Sequence, residues 1–101
     1  MTTFDDRETA FEAKFAHDEE LQFKAGVRRN KLLGLWAAEL LGKTGDAAQE
    51  YARDVIKSDF EEAGDEDVFR KLAGDLGDKV DDATLRAKMH ELLLEAQAQI
   101  L

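Results

Sequence analysis

Residues 32–42 read LLGLWAAELLG. Leu32, Leu33, Trp36, Leu40 and Leu41 recur at the steps that stack side chains on one side of an α-helix, and no strand-like alternation runs through them. Gly42 then supplies the left-handed conformation that commonly closes a helix. Working upstream, the pattern predicts a first body helix over about 21–41 with these five side chains facing inward. Gly26 interrupts its early part. A glycine inside a helix costs roughly 0.5–1 kcal/mol relative to alanine, so this is where fraying or hinging is expected.

Downstream the same period repeats three times. A second helix is expected from near Asp46, whose spacing to Gln49 suits a capping box, with Ala48, Tyr51, Ala52, Val55, Ile56 and Phe60 at core positions. Gly64 ends it. Asp65 can cap a third helix that buries Val68, Phe69, Leu72, Ala73 and Leu76, and Gly74 and Gly77 weaken its end. A fourth starts at Asp81, with Val80 and Leu85 spaced as a hydrophobic staple and Leu85, Met89, Leu92, Leu93, Ala96 and Ile100 as its stripe. The 101 residues contain no proline, and the connections are short. The expected fold is therefore all-α, a small up-and-down four-helix bundle over 21–101.

Residues 1–20 read differently. Phe4, Phe11 and Phe15 stand at spacings of seven and four and form one narrow apolar stripe, which stops at the polar Asp18, Glu19 and Gln22. Burying three phenylalanines gains less than ordering the backbone that carries them costs. A flexible N-terminal arm is expected, mobile when free and helical when its stripe lies in a partner's groove.

Composition removes several classes of function. The chain lacks cysteine, which excludes disulfides, cysteine metal sites and thiol catalysis and fits a reducing compartment. No apolar run is long enough to insert in a membrane, and the acidic start does not resemble a signal peptide, so a cytoplasmic protein is expected. A net charge of −9 argues against nucleic acid as a partner. Yet Lys24, Arg28, Arg29 and Lys31 form a basic island between two acidic blocks. It reads either as a solvated face paired with acids of the body or as a site for an anion or acidic partner.

Motifs for chemistry are absent. Gly42-Lys43-Thr44 has Ala37 where a phosphate-binding loop needs glycine, and it follows a helix rather than a strand. A helix stop and the next helix start explain it. His17 and His90 lack companions at metal-ligand spacing. The acids of 59–67 read as a solvated turn with capping groups rather than a cation loop. No nucleophile has a base in a recognisable pattern, so the chain is expected not to be an enzyme. Trp36, seven residues after Arg29, is either core or a ring on which a purine stacks.

Four stretches, 3–7 (TFDDR), 12–18 (EAKFAHD), 28–36 (RRNKLLGLW) and 58–71 (SDFEEAGDEDVFRK), together resemble the zeta subunit of alphaproteobacterial F-type ATP synthase. The resemblance implies a four-helix bundle with a mobile inhibitory N-terminal segment. It further implies that this segment folds on entering a catalytic interface of the rotary head and blocks ATP hydrolysis. Carried over, that role falls on residues 1–19, with Phe4, Arg7, Phe11, Lys14 and Phe15 as the contact residues. No cofactor is required, but the family is associated with adenine nucleotide, ADP or ATP, on the bundle. Arg28, Arg29 and Lys31 are assigned to it on charge grounds alone, with Trp36 as the stacking ring. The free protein is expected to be a monomer. An acidic helical adaptor or a nucleotide-sensing protein with a different partner would share these features.

Overall fold

The computed structural model describes residues 18–59 and 65–100. Among the described residues are four α-helices: α1 (Glu19–Leu40), α2 (Gly45–Ser58), α3 (Glu66–Leu76) and α4 (Asp82–Ile100). A single 3-10 turn, Gly77–Lys79, joins the last two. The fold is the all-helical bundle expected from the periodicity, and there is no strand among the described residues.

α1 is the central member, packed most extensively on α2 and α4. Its inward face presents Ala25, Leu33, Ala37 and Ala38, all essentially inaccessible. Small residues here let the neighbouring helices come close. Gly34 is the extreme case, because a Cβ built on it would stand 2.6 Å from the Cα of Ala52 in α2. The core continues through Tyr51, Val55, Val68, Leu72, Leu76, Leu85, Met89 and Leu92, with Leu32, Trp36, Leu41, Phe69 and Val80 packed against it.

Local chemistry sets the helix ends. α1 begins two residues before the expected start because Asp18, in an extended conformation, accepts the Leu21 N–H at 3.1 Å. It then runs unbroken through Gly26, so the expected interruption does not occur; buried Ala25 and Asn30 anchor the turns on either side. Gly42 does stop it, at φ 75°, and the Lys43 N–H reaches back to the Ala38 carbonyl at 2.8 Å. Leu40, expected inside, is 38% exposed, whereas Leu41 next to it packs on the core.

α2 starts at Gly45 with Thr44 at its N-cap position, though without a side-chain cap bond, and Asp46 occupies its first turn. Asp65 stands at the N-cap of α3 but makes no side-chain cap bond there. α4 starts at Asp82, one residue after the expected start, and Asp81 accepts the Thr84 N–H at 2.7 Å. Hydrogen bonds from Thr84, first its side chain and then its backbone N–H, hold the Asp81 carboxyl below the usual carboxylate range. Between α3 and α4, Arg86 makes a two-pronged contact with Glu66 at 3.1 and 3.3 Å and lies 3.8 Å over the Phe69 ring.

Candidate functional site

α1 carries polar side chains into the interior at one level. Arg29 is only 3% exposed and Asn30 1%. Arg29 lies four residues before Leu33 and therefore shares its inward face. Its Nε donates to Asn30 Oδ1 and its Nη2 to Asp65 Oδ1, both at 3.0 Å. Asn30 Nδ2 donates in turn to Asp59 Oδ2 at 3.0 Å. These bonds tie α1 to the two ends of the connection between α2 and α3. Asp65 is drawn away from capping α3 because a buried guanidinium is the stronger claim on its carboxylate.

Beside this node opens a cleft of about 400 Å³, lined among others by Gln22, Gly26, Arg29, Asp59, Asp65 and Gln97. Gln97, on α4, is buried, and its Oε1 has no hydrogen-bond partner. On the neighbouring face of α1 lies a shallow groove of about 380 Å³, lined by Phe23, Lys24, Val27, Arg28, Lys31 and Ile100. Phe23, 58% exposed, borders both openings. Arg28 Nε donates to Gln99 Oε1 at 2.6 Å, and Lys24 pairs with Glu20 at 3.1 Å.

The structure therefore divides the expected nucleotide set. Arg28 and exposed Lys31 line the groove, whereas Arg29 points into the polar node. Trp36 packs on the core with the Lys88 ammonium 5.7 Å from its ring, and it lines neither opening. The arm residues Phe4, Arg7, Phe11, Lys14 and Phe15 lie outside the described residues. Sequence reasoning missed Asn30, Asp59, Asp65 and Gln97 as one constellation. The signal that was legible is the spacing of Arg29, Leu33 and Ala37, which places a cation on the core face and demands acids opposite it.

A second polar cluster lies at the junction of α2 and α3. The Tyr51 hydroxyl donates to Asp75 Oδ2 at 2.8 Å, and Lys71 Nζ reaches the same oxygen at 3.1 Å. The Lys71 and Lys43 ammonium groups stand 5.2 and 6.0 Å from the tyrosine ring centre. Burial, then the bond to Asp75 and the charges of Asp75 and Asp54, push the Tyr51 hydroxyl well above the ordinary tyrosine range. Burial alone would raise the Asp75 carboxyl, but the bonds from Tyr51 and Lys71 and the nearby lysine charges outweigh it and hold it low. The cluster is a structural clasp. Among the described residues there is no group of three or more His, Cys or carboxylate side chains arranged to hold a metal ion. Nor is any helix there long and apolar enough to cross a membrane.

The comparison with curated proteins gives no match. Among solved structures, a protein determined in solution by NMR is 59% identical, covers 79% of this chain and 94% of its own, and superposes with a TM-score of 0.74. The family model for ATPase inhibitor subunit zeta matches residues 1–99. With a match over nearly the whole length, the chain belongs to the ATPase inhibitor subunit zeta family, whose members are regulatory subunits associated with the F-type ATP synthase.

Proposed function

We propose that this chain suppresses ATP hydrolysis by the catalytic head of the F-type ATP synthase by inserting residues 1–19, folded as a helix, into a catalytic interface. The observation that carries this reading is the extent of the family match, which begins at the first residue and so includes the phenylalanine stripe. Phe4, Phe11 and Phe15 act as apolar anchors, and Arg7 and Lys14 flank them. The bundle remains outside as a bulky stop. Asp18 caps the first turn of α1, so the bundle has a defined N-terminal start next to the residues assigned to insertion. The chain acts without catalysis of its own, as a monomer in the cytoplasm. The test is to incubate the isolated head with the full chain and with a chain starting at Glu20. Loss of inhibition on removal of the arm supports insertion; equal inhibition by both contradicts it.

A second role, adenine-nucleotide binding to the bundle, is favoured by one specific feature. The groove between α1 and the end of α4 combines Phe23, Val27 and Ile100 with three cations, Lys24, Arg28 and Lys31. An apolar floor for a base and basic groups for phosphates is the chemistry such a ligand needs. Arg29 would then support the site from behind rather than meet phosphate.

A further inference from the structure

The cleft beside Arg29 holds more acceptors than it can satisfy. Gln97 is nine-tenths buried and lines the cleft, and its Oε1 is without a partner. A buried amide oxygen left in that state is costly, so a guest that donates to it has something to gain. Asp59 and Asp65 each give one oxygen to α1, and among the described residues that line the cleft they set two carboxylates beside one cation, Arg29. Phe23, Ile56 and Leu93 supply an apolar wall beside these groups.

That combination selects among guests. A phosphate or carboxylate meets two carboxylates and an acceptor oxygen, all of the wrong sign. A neutral alcohol or amide satisfies Gln97 but gains nothing from the two carboxylates, of which Asp65 is also open to water. A lysine or arginine side chain satisfies both requirements, because its head group only donates and its methylene stem lies against an apolar wall. We propose that the cleft formed by Gln97, Asp59 and Asp65 beside Arg29 is a receptor for a basic side chain of a partner protein. The head group is bonded by Gln97 Oε1 and balanced by the two carboxylates. The cleft and the basic groove thus have opposite preferences on adjacent faces of α1, cationic in one and anionic in the other. Who supplies the side chain rests on the reading of the chain as an inhibitor of the catalytic head; the chemistry of the cleft does not.

The test uses the full chain. Agmatine, a guanidinium on a short alkyl stem, is titrated while the backbone amides of Gly26 and Asn30 and the side-chain amide of Gln97 are followed by NMR, with inorganic phosphate as the contrasting probe. The expected result is a saturable shift of these signals with agmatine and none with phosphate. Gln97→Leu removes the unpartnered oxygen and should leave the melting temperature unchanged or raised while abolishing the agmatine shift. A merely structural glutamine would not move that readout. Asp59→Asn, which can keep its contact with Asn30, should weaken agmatine several-fold and provides the test should Gln97→Leu fail to fold. With the catalytic head, Gln97→Leu should weaken binding about tenfold. No agmatine response in the unaltered chain, or a response that survives both substitutions, overturns the proposal. So does an agmatine response combined with head binding that Gln97→Leu leaves untouched, because the guest would then be a small free amine and not a partner's side chain. Failure of the unaltered chain to engage the head at all defeats the inhibitor reading and with it the assignment of a protein partner, while the agmatine titration still decides whether the cleft takes cations.

Discussion

Gly34 and Ala52 bring the backbones of α1 and α2 into direct contact. A Cβ on Gly34 would lie 2.6 Å from the Ala52 Cα and 3.1 Å from its Cβ. The first of these atoms is main chain and cannot move aside by a rotamer change. Gly34→Ala should therefore destabilise the bundle by about 2 kcal/mol, because overpacking against backbone outweighs the helix-propensity gain of roughly 0.5–1 kcal/mol. Thermal unfolding should show a Tm lower by about 10 °C. An unchanged Tm would mean that α1 and α2 cross farther apart.

Arg29→Met keeps part of the packed stem but removes the guanidinium. Asn30 Oδ1, in a side chain 1% exposed, then loses its donor, whereas Asp65 remains partly in water and suffers less. The expected loss is about 1–3 kcal/mol, read from urea unfolding. A surface arginine would show a change within about 0.5 kcal/mol.

Much of the bundle was legible in the chain because its cores follow one rule. Val68, Leu72 and Leu76, or Leu85, Met89, Leu92 and Ala96, repeat at helical steps, and nothing in the tertiary structure overrides them. Gly42 acts through its own positive φ and Asp81 through a carboxylate that accepts the N–H three residues on, so their roles could also be read locally. Asp65 shows where such reading ends. Its sequence position is that of a cap, but its side chain bonds Arg29, 36 residues away, and local rules carry no information about that competition. The same holds for Gln97, whose neighbours in the cleft come from three other parts of the chain.

The clasp of Tyr51 and Asp75 sets a pH dependence at both ends of the range. The Asp75 carboxyl is lowered on folding, so its contribution is fully present above the unfolded value near about pH 4 and is lost as pH falls below it. The Tyr51 hydroxyl is raised, so its contribution is fully present below about pH 10 and is lost as pH rises beyond. Melting temperatures followed against pH should show a shallower acid limb for Asp75→Asn and a shallower alkaline limb for Tyr51→Phe. Limbs as steep as those of the unaltered chain would locate the titration elsewhere.

For the nucleotide reading, Arg28→Ala combined with Lys31→Ala removes two of the three groove cations without touching the buried core. ATP binding, measured by calorimetry, should weaken about tenfold or more. Equal affinity would send the site away from the groove.

The central claim is that the arm supplies the blocking element. Phe11 and Phe15 are four residues apart and adjacent on a helix, so Phe11→Ala with Phe15→Ala removes most of the apolar anchor. If each ring is well buried at the interface, its loss costs on the order of 2–4 kcal/mol of binding. The measurement is ATP hydrolysis by the isolated catalytic head against concentration of this double variant. The result expected is a protein with an unchanged melting temperature that inhibits far more weakly than the unaltered chain. Full inhibition by the double variant would contradict the account and place the inhibitory surface on the bundle.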